Sequence, residues 1–406
     1  MNQFKEHYRK WWQYPRRLDE QSEHRSVSFL ELFYDLVYVV LIAELAHSLA
    51  ENVDLKHILQ YAFLFSIVWW SWFNGTLYID LHGNNDIRTR VFTFLQMICV
   101  AGMAAFAHDA LGESSIPFAL AFGAFQLTLT FLWWRVGVYD PVHKKLANPY
   151  TLAFLAATLL FLGSVFVPLS ARPYLWVVSV LISLLLPIRM LSQQSSHPDI
   201  QEAIEKLLTI SPALVERFGL FTIIVLGEIV VGVVTGLNHH HYHVTLYTGG
   251  TALAGILIGF GLWWVYFDFV SHRQPKKNRT AVNAWVYLHL PLSAGIAAVG
   301  AGILSSIELP SEVLPAEVRW LLTASTAAVL ICIRILMNTI QIKPQQREGY
   351  RKGRQIVLVS GIAIALLGFI PLPALGLLCA TLIFLLLPIL YGVQAWLRDM
   401  ITQEQK

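Results

Sequence analysis

The sequence predicts an all-α integral membrane protein of about twelve transmembrane helices, arranged as two parallel six-helix repeats, and three observations carry that prediction. The first is composition: of 406 residues, 56% are hydrophobic and only 14% charged, with mean hydropathy +0.55. A soluble domain would carry roughly 25% charged residues, so lipid is the solvent for which this chain is written. The second is length: a helix crossing roughly 30 Å of hydrocarbon needs about 20 mainly apolar residues, and runs of that size follow one another along nearly the whole sequence. The third is the placement of positive charge, which alternates from loop to loop.

Taken in chain order, residues 1–28 form a polar, basic arm, with Arg9, Lys10, Arg16 and Arg17 among Trp11, Trp12 and Tyr14 and no apolar core of signal-peptide type ahead of Leu30. It reads as a cytoplasmic arm at the membrane surface. The first repeat, 29–190, is expected to hold helices near 29–49, 57–78, 90–108, 116–137, 150–168 and 173–190. A cytoplasmic linker, 191–211, follows, in which Ile200, Ile204 and Leu207 share one helical face and Glu202, Glu205 and Lys206 lie elsewhere, so it is expected to lie as an amphipathic helix on the inner surface. The second repeat, 212–397, is expected to hold helices near 213–237, 246–269, 281–304, 318–340, 355–371 and 374–396, with 398–406 as a cytoplasmic tail.

With the amino terminus inside, 24 of the 29 Lys and Arg residues fall on the cytoplasmic side. The external side holds only Lys56, Arg172 and Arg319, and Arg217 and Arg334 sit within or at the edge of spans. Cytoplasmic loops retain positive charge during insertion, so this bias puts both termini in the cytoplasm. The net charge of +3 is too small to argue for nucleic acid. Cys99, Cys332 and Cys379 lie far apart in apolar runs, without metal-ligand or disulfide spacing.

The repeat rests on several matches in the same order and at matching depth. Ala101-Gly-Met-Ala-Ala105 recurs as Ala294-Gly-Ile-Ala-Ala298, and Leu181-Ile-Ser-Leu-Leu-Leu-Pro-Ile188 recurs as Leu382-Ile-Phe-Leu-Leu-Leu-Pro-Ile389. Tyr78-Ile-Asp80 matches Tyr266-Phe-Asp268, and Arg88-Thr89 matches Arg279-Thr280. Each match is offset by close to half the chain. Six spans per repeat make the halves parallel, related by an axis along the membrane normal.

Ionisable groups in hydrocarbon are costly and are therefore the first candidates for function. Helix 1 carries Glu31, Asp35 and Glu44, followed by His47. Glu31, Asp35 and Tyr38 share a face near the cytoplasmic end, with Glu44 and His47 on the opposite face roughly 13 to 20 Å further along. Helix 7 carries Glu216 and Arg217 at its inner edge and Glu228 near its middle. With one gap, Glu31 and Phe33 align with Glu216 and Phe218, and Glu44 then aligns with Glu228, so a pseudo-symmetric pair of buried carboxylates is expected. Arg217 stands roughly 16 Å from Glu228 along the helix, which sends the search for a partner to another helix. His289, with Gln96 as its counterpart in helix 3, is the candidate. Asp268 completes the set at the cytoplasmic edge.

The competing reading is that these groups pair with one another and hold the bundle together, as interhelical polar contacts ordinarily do. Four histidines within His239 to His243 could chelate a divalent cation, but no carboxylate or thiol accompanies them, and a polar, histidine-rich loop is the simpler reading. No metal or cofactor is expected. Gly232 with Gly236, and Gly255 with Gly259, have GxxxG spacing and predict close helix packing. No phosphate loop, HExxH helix or GxSxG elbow occurs.

The string Leu30-Glu-Leu-Phe-Tyr-Asp-Leu-Val-Tyr-Val-Val40, continuing to Ala43-Glu-Leu-Ala-His47, and the string Glu216-Arg-Phe-Gly-Leu-Phe-Thr-Ile-Ile-Val-Leu-Gly-Glu228 resemble the bacterial low-temperature-requirement A (LtrA) family. The likeness runs from about Arg25 to the end of the chain. It implies a multi-pass protein of the bacterial inner membrane, connected by name to growth in the cold, and supplies no substrate or reaction. Members often have a His a few residues before Glu-Arg-Phe-Gly, where this chain has Ala213, so a role for that His would not transfer. Phe33-Tyr-Asp35 after a basic residue also resembles the first helix of lysosomal-type potassium channels, which have two parallel six-helix halves; the second half here lacks the Asp.

Two parallel halves with midplane carboxylates are what proton- or cation-coupled alternating access requires, and a secondary transporter with its site at the repeat interface is the leading expectation. A carboxylate buried without a cationic partner holds its proton more tightly than one in water, which makes Glu44 and Glu228 the candidate carriers. The partners expected are the lipid bilayer, protons or cations, and a small solute whose identity the residues do not specify. A cation channel is the alternative within the same architecture. A membrane-embedded enzyme or lipid-handling protein for envelope adaptation to cold, and a structural or sensory membrane protein, are the alternatives from other classes. The sequence sets no oligomeric state.

Overall fold

In the computed structural model the described residues are 11, 13–17, 25–140, 144–194, 210–239, 244–309 and 313–404. Among them are twelve long helices: α1 Phe29–Glu51, α2 Leu55–His82, α3 Ile87–Ala105, α4 Ser115–Tyr139, α5 Lys144–Gly163, α6 Arg172–Gln194, α7 Pro212–His239, α8 Leu246–Phe269, α9 Arg279–Glu308, α10 Ala316–Thr339, α11 Arg347–Leu367 and α12 Ala374–Glu404. Each of the twelve apolar runs expected from the sequence is occupied by a helix, and no strand occurs among the described residues. Nine of them, α3 to α10 and α12, are long and apolar enough to cross a membrane. The other three carry more polar groups: Glu31, Asp35, Glu44 and Glu51 in α1, Lys56, Asn74 and Asp80 in α2, and Arg347, Arg351, Lys352 and Arg354 in the first two turns of α11. The segment read as an amphipathic linker helix, Asp199 to Leu208, lies outside the described residues.

Helix ends follow local chemistry. Asp86 caps α3 by accepting from the Thr89 backbone N–H at 3.0 Å, Thr245 caps α8 through Thr248 at 3.1 Å, and Asn278 caps α9 through Ala281 at 2.9 Å. Each satisfies a donor that the first turn leaves open. The helix expected at 150–168 instead runs from Lys144 to Gly163 and gives way to a 3-10 turn at Ser164–Phe166. Pro168 cannot continue the ladder, and glycine at its carboxyl end favours termination. The helix expected from 355 begins at Arg347, because Glu348 pairs with Lys352 one turn on, at 3.0 Å, and supports a polar first turn.

Two compact units can be distinguished: Met1–Glu44 with Leu64–Arg217, and Leu45–Phe63 with Phe218–Lys406. In the first, α3 packs on α4, α4 on α5 and α5 on α6, and the Trp70 indole of α2 donates to Ser183 of α6 at 2.8 Å. Its core is aromatic: the rings of Phe161 and Trp176 stack at 4.9 Å, and the Trp176 indole donates to Ser164 at 2.9 Å. In the second, α9 packs on α10, α10 on α11, α11 on α12, and α8 on α12.

The distribution of side chains is that of a protein dissolved in lipid. Large apolar residues such as Val359, Ile362, Leu366 and Leu390 are exposed, while Asp35, Arg217, Glu228 and His289 are buried. Buried hydroxyls satisfy themselves on their own helices: Thr130, Thr158, Thr222, Thr326 and Thr381 each donate to the carbonyl four residues back, at 2.7 to 2.9 Å. Water is not needed for any of these bonds, as a hydrocarbon surround demands.

Candidate functional site

Two settings of buried ionisable groups, one in each unit, differ in whether the charges are paired. In the first unit the setting begins at the start of α1. Ser28 and Glu31 form a capping box: the Ser28 backbone N–H and hydroxyl both donate to Glu31 Oε2, at 2.9 and 2.8 Å, and the Glu31 backbone N–H reaches back to Ser28 Oγ at 3.4 Å. The other carboxylate oxygen, Oε1, meets Arg25 and lies 3.7 Å from Arg217 Nη1. One turn further, Asp35 is completely buried. Arg217 grips it at 2.5 Å through Nη2 and 3.3 Å through Nε, and the Trp72 indole of α2 donates to it at 2.8 Å. The Arg217 guanidinium also lies over the Tyr34 ring, 5.5 Å from its centroid. Tyr34, Tyr38 and Ser71 continue the polar line through bonds of 3.1 Å each.

Arg25 extends the cluster to α2, where it lies 3.3 Å from Asp80 Oδ1, and Ser211 donates to the same oxygen at 2.7 Å. Arg16 reaches the backbone carbonyls of Asp80 and Leu81, its own amide donates to the His82 carbonyl at 3.1 Å, and the Tyr14 ring packs tilted against Tyr139 with centroids 4.5 Å apart. The described part of the amino-terminal arm is thus bound to the ends of α2 and α4 rather than lying loose. Three carboxylates alternate with guanidinium groups, and every one of them has a cationic neighbour or a hydroxyl donor. A buried pair of this kind is expensive to break once formed.

The second setting is Glu228 of α7. It is buried, and its Oε1 has no hydrogen-bond partner among the described residues. No ion pair reaches it among those residues either. Tyr61, from the segment Leu45–Phe63, lies within electrostatic range of it and donates to the Ala294 carbonyl of α9 at 2.7 Å. Glu228 stands where the backbones of α7 and α9 come close together. A Cβ placed on Gly232 would sit 2.8 Å from the Gly300 carbonyl oxygen, and one on Gly300 would sit 3.0 Å from that of Glu228 itself. Gly255 and Gly259 of α8 face Ile303 and Ile229 just as tightly, at 2.6 and 3.0 Å. The GxxxG spacing therefore does produce close packing, and it does so around the unpaired carboxylate.

His289 is not the partner of Glu228 that the sequence suggested. Its Nδ1 bonds the Trp285 carbonyl at 2.6 Å and must carry the proton, since a carbonyl only accepts. Its Nε2 then accepts from the Tyr266 hydroxyl at 3.0 Å. Both ring nitrogens are used, and the ring is packed against Phe218 and Trp285. Gln96, the position in α3 that the sequence matches to it, is buried, with Nε2 unpartnered among the described residues.

The expectation of two equally buried carboxylates also changes: Glu44 is half-buried. Along α1 residues 41, 42, 45, 46, 49 and 50 face inward, and Glu44 falls with Ala43, His47 and Ser48 on the adjoining stripe. His47 pairs along the helix with Glu51 at 3.4 Å. Glu216 is exposed, and Asp268, also exposed, accepts from the Trp264 indole at 2.9 Å. In the histidine-rich loop, His239 Nδ1 meets Glu308, while His240 to His243 lie outside the described residues.

Sequence reasoning missed Arg25, Trp72, Asp80, Ser211 and Tyr61. The Ser28-x-x-Glu31 capping signature was legible and would have fixed the start of α1 together with Glu31. Asp80 was marked only by its match with Asp268 and Arg25 lies six residues ahead of Glu31, while Trp72, Ser211 and Tyr61 are brought in from far along the chain and leave no local signal.

The family model described as bacterial low temperature requirement A protein (LtrA) matches residues 26–390. An uncharacterized protein of Rhizobium meliloti (strain 1021), RA0937, is 26% identical over 296 residues, which cover 70% of each chain. With the family model spanning α1 to α11, the first half of α12 and both carboxylate-bearing strings, this multi-helix membrane protein belongs to the LtrA family.

Proposed function

We propose that this protein is a proton- or cation-coupled secondary transporter of a small solute, set in the bacterial inner membrane with both termini cytoplasmic. The observation that carries the reading is Glu228, a buried carboxylate with an unsatisfied oxygen and no ion pair among the described residues. Leaving such a group without a partner is costly, and a group that alternately takes and gives up a proton or cation is one in which that cost is offset. The cluster around Asp35 and Arg217 is a poorer candidate, because its carboxylates are already neutralised by guanidinium groups and serve to hold elements together.

Two parallel six-helix halves would supply the alternating-access framework. Support for the repeat comes from the order of neighbours: α3, α4, α5 and α6 pack in succession, as do α9, α10, α11 and α12, and the α2 to α6 contact has its counterpart in α8 on α12. The loop distribution of Lys and Arg supports the orientation.

The test is flux in proteoliposomes carrying the full-length protein, with internal pH and membrane potential read across a panel of ions and solutes under imposed gradients. Wild type is expected to couple solute movement to proton or cation movement, and Glu228→Gln, folded to the same elution profile, to lose the coupling. Equal coupling in the two proteins would remove Glu228 from the mechanism. Unitary currents in place of gradient-driven counterflow would replace the transporter with a channel.

A further inference from the structure

Between α11 and α12 the surface of the second unit opens into a groove of about 290 Å³ lined by Gln355, Ile356, Val359 and Leu387. It is several times roomier than the roughly 30 Å³ that one water occupies, and its apolar wall is outward-facing: Val359 is 59% and Leu387 44% exposed. In a lipid-dissolved protein such a groove receives acyl chain rather than water.

One end of the groove is charged. On α11, Arg351, Gln355 and Val359 follow one another at four-residue spacing, and Lys352, Ile356 and Val359 do so at four and three, so both cations stand on the groove's own face, roughly 6 Å beyond its polar end. Arg351 and Lys352 are exposed. On α12, Leu387, Tyr391 and Arg398 share a stripe; Tyr391 donates to the Gly349 carbonyl at 2.8 Å and ties this stripe to the first turn of α11. Trp396, 62% exposed on another face of the same end of α12, is an indole of the kind that seats at headgroup level. Between Lys343 and Arg354 the sequence holds five cations and one carboxylate, Glu348, which is paired with Lys352.

We propose that the groove between α11 and α12 binds an anionic phospholipid, with an acyl chain along Ile356, Val359 and Leu387 and the headgroup phosphate on Arg351 and Lys352. Charge complementarity selects this occupant: an apolar trough that ends in clustered cations fits a molecule with a long apolar chain and an anionic head, and basic pockets of this sort on the cytoplasmic side of helix bundles are the usual sites for such lipids. Gln355, at the boundary, has both a donor and an acceptor for the ester region between head and chain. The inference is independent of the transport reading.

The test uses the full-length protein, equilibrated with vesicles of equal parts phosphatidylglycerol and phosphatidylcholine, released from them, and weighed intact with its retained lipid. Two cations at about 1 kcal/mol each correspond to a roughly thirtyfold preference for phosphatidylglycerol in wild type, which R351Q/K352Q should lose without losing phosphatidylcholine. Val359→Trp, which fills the trough, should lower retention of both lipids. K144Q/K145Q removes the same charge from an exposed site on α5 and should change nothing. Equal retention of the two lipids by wild type, or equal loss in the two double variants, would overturn the proposal. So would a dimer in the same spectra that Val359→Trp splits, since a second copy of the chain would then be the occupant.

Discussion

Arg217→Met is the perturbation that most directly tests the reading of the first unit. Arg217 bonds Asp35 at 2.5 and 3.3 Å and lies 3.7 Å from Glu31, and all three side chains are buried. Two unit charges at about 4 Å attract by about 4 kcal/mol at an effective dielectric constant near 20. Removing the guanidinium leaves Asp35 with the Trp72 indole as its remaining donor among the described residues and Glu31 with Arg25 and Ser28. The loss should be about 3–5 kcal/mol, the usual result of stripping one partner from a buried pair. Asp35→Asn should lose less, about 2 kcal/mol, because Trp72 keeps an acceptor and Arg217 keeps Glu31. Replacing both, as Arg217→Met with Asp35→Leu, should recover much of the loss, since neither charge is then left alone. The assay is the unfolding midpoint in mixed micelles, followed by tryptophan fluorescence, across the complete double-mutant cycle. An Arg217→Met midpoint equal to wild type, or a double variant that loses the sum of the two single losses, would refute the idea that these groups are coupled.

Other outcomes follow from the packing and the helix ends. Gly300→Ala places a methyl 3.0 Å from the Glu228 carbonyl oxygen and should destabilise by about 1–3 kcal/mol, whereas Gly227→Ala, where the added atom meets nothing within 4 Å, should stabilise by up to about 1 kcal/mol; the same micelle unfolding assay reads both signs. Trp176→Ala removes a buried ring stacked on Phe161 and the bond to Ser164, and should lower the midpoint by the equivalent of about 3–5 kcal/mol. In the turn before α2, the His57 backbone N–H, donating at 2.8 Å, and the His57 ring hold the Asp54 carboxyl below its ordinary value. A lowered folded value means that this cap is intact above the ordinary carboxylate range and is lost as pH falls through the lowered one. Hydrogen exchange at the first turn of α2, corrected for its intrinsic pH dependence, should therefore rise toward acid in wild type and already be fast and flat in Asp54→Ala.

The sequence by itself determined the class of protein and the approximate place of the twelve long helices, because the length of an apolar run is a local property; the ends of α5 and α11 were set by polar turns that an apolar run does not mark. It also determined the close approach at Gly232, Gly255 and Gly259, since a missing side chain invites a neighbouring backbone whatever that neighbour is. Glu31 was half legible: its capping box with Ser28 is written within four residues, but its contacts with Arg25 and Arg217 are not. Only the tertiary structure decided which carboxylates are paired. Asp35 and Arg217 lie 182 positions apart, and a guanidinium in one helix can serve any carboxylate that the fold carries to within a few ångströms. The same dependence on distant geometry gave His289 to Tyr266 instead of Glu228, and turned Glu44 onto a half-exposed stripe while its counterpart stayed buried and unpaired. In hydrocarbon each polar group must find its partner inside the protein, so the identity of that partner is set by how the helices pack and not by the residues beside it.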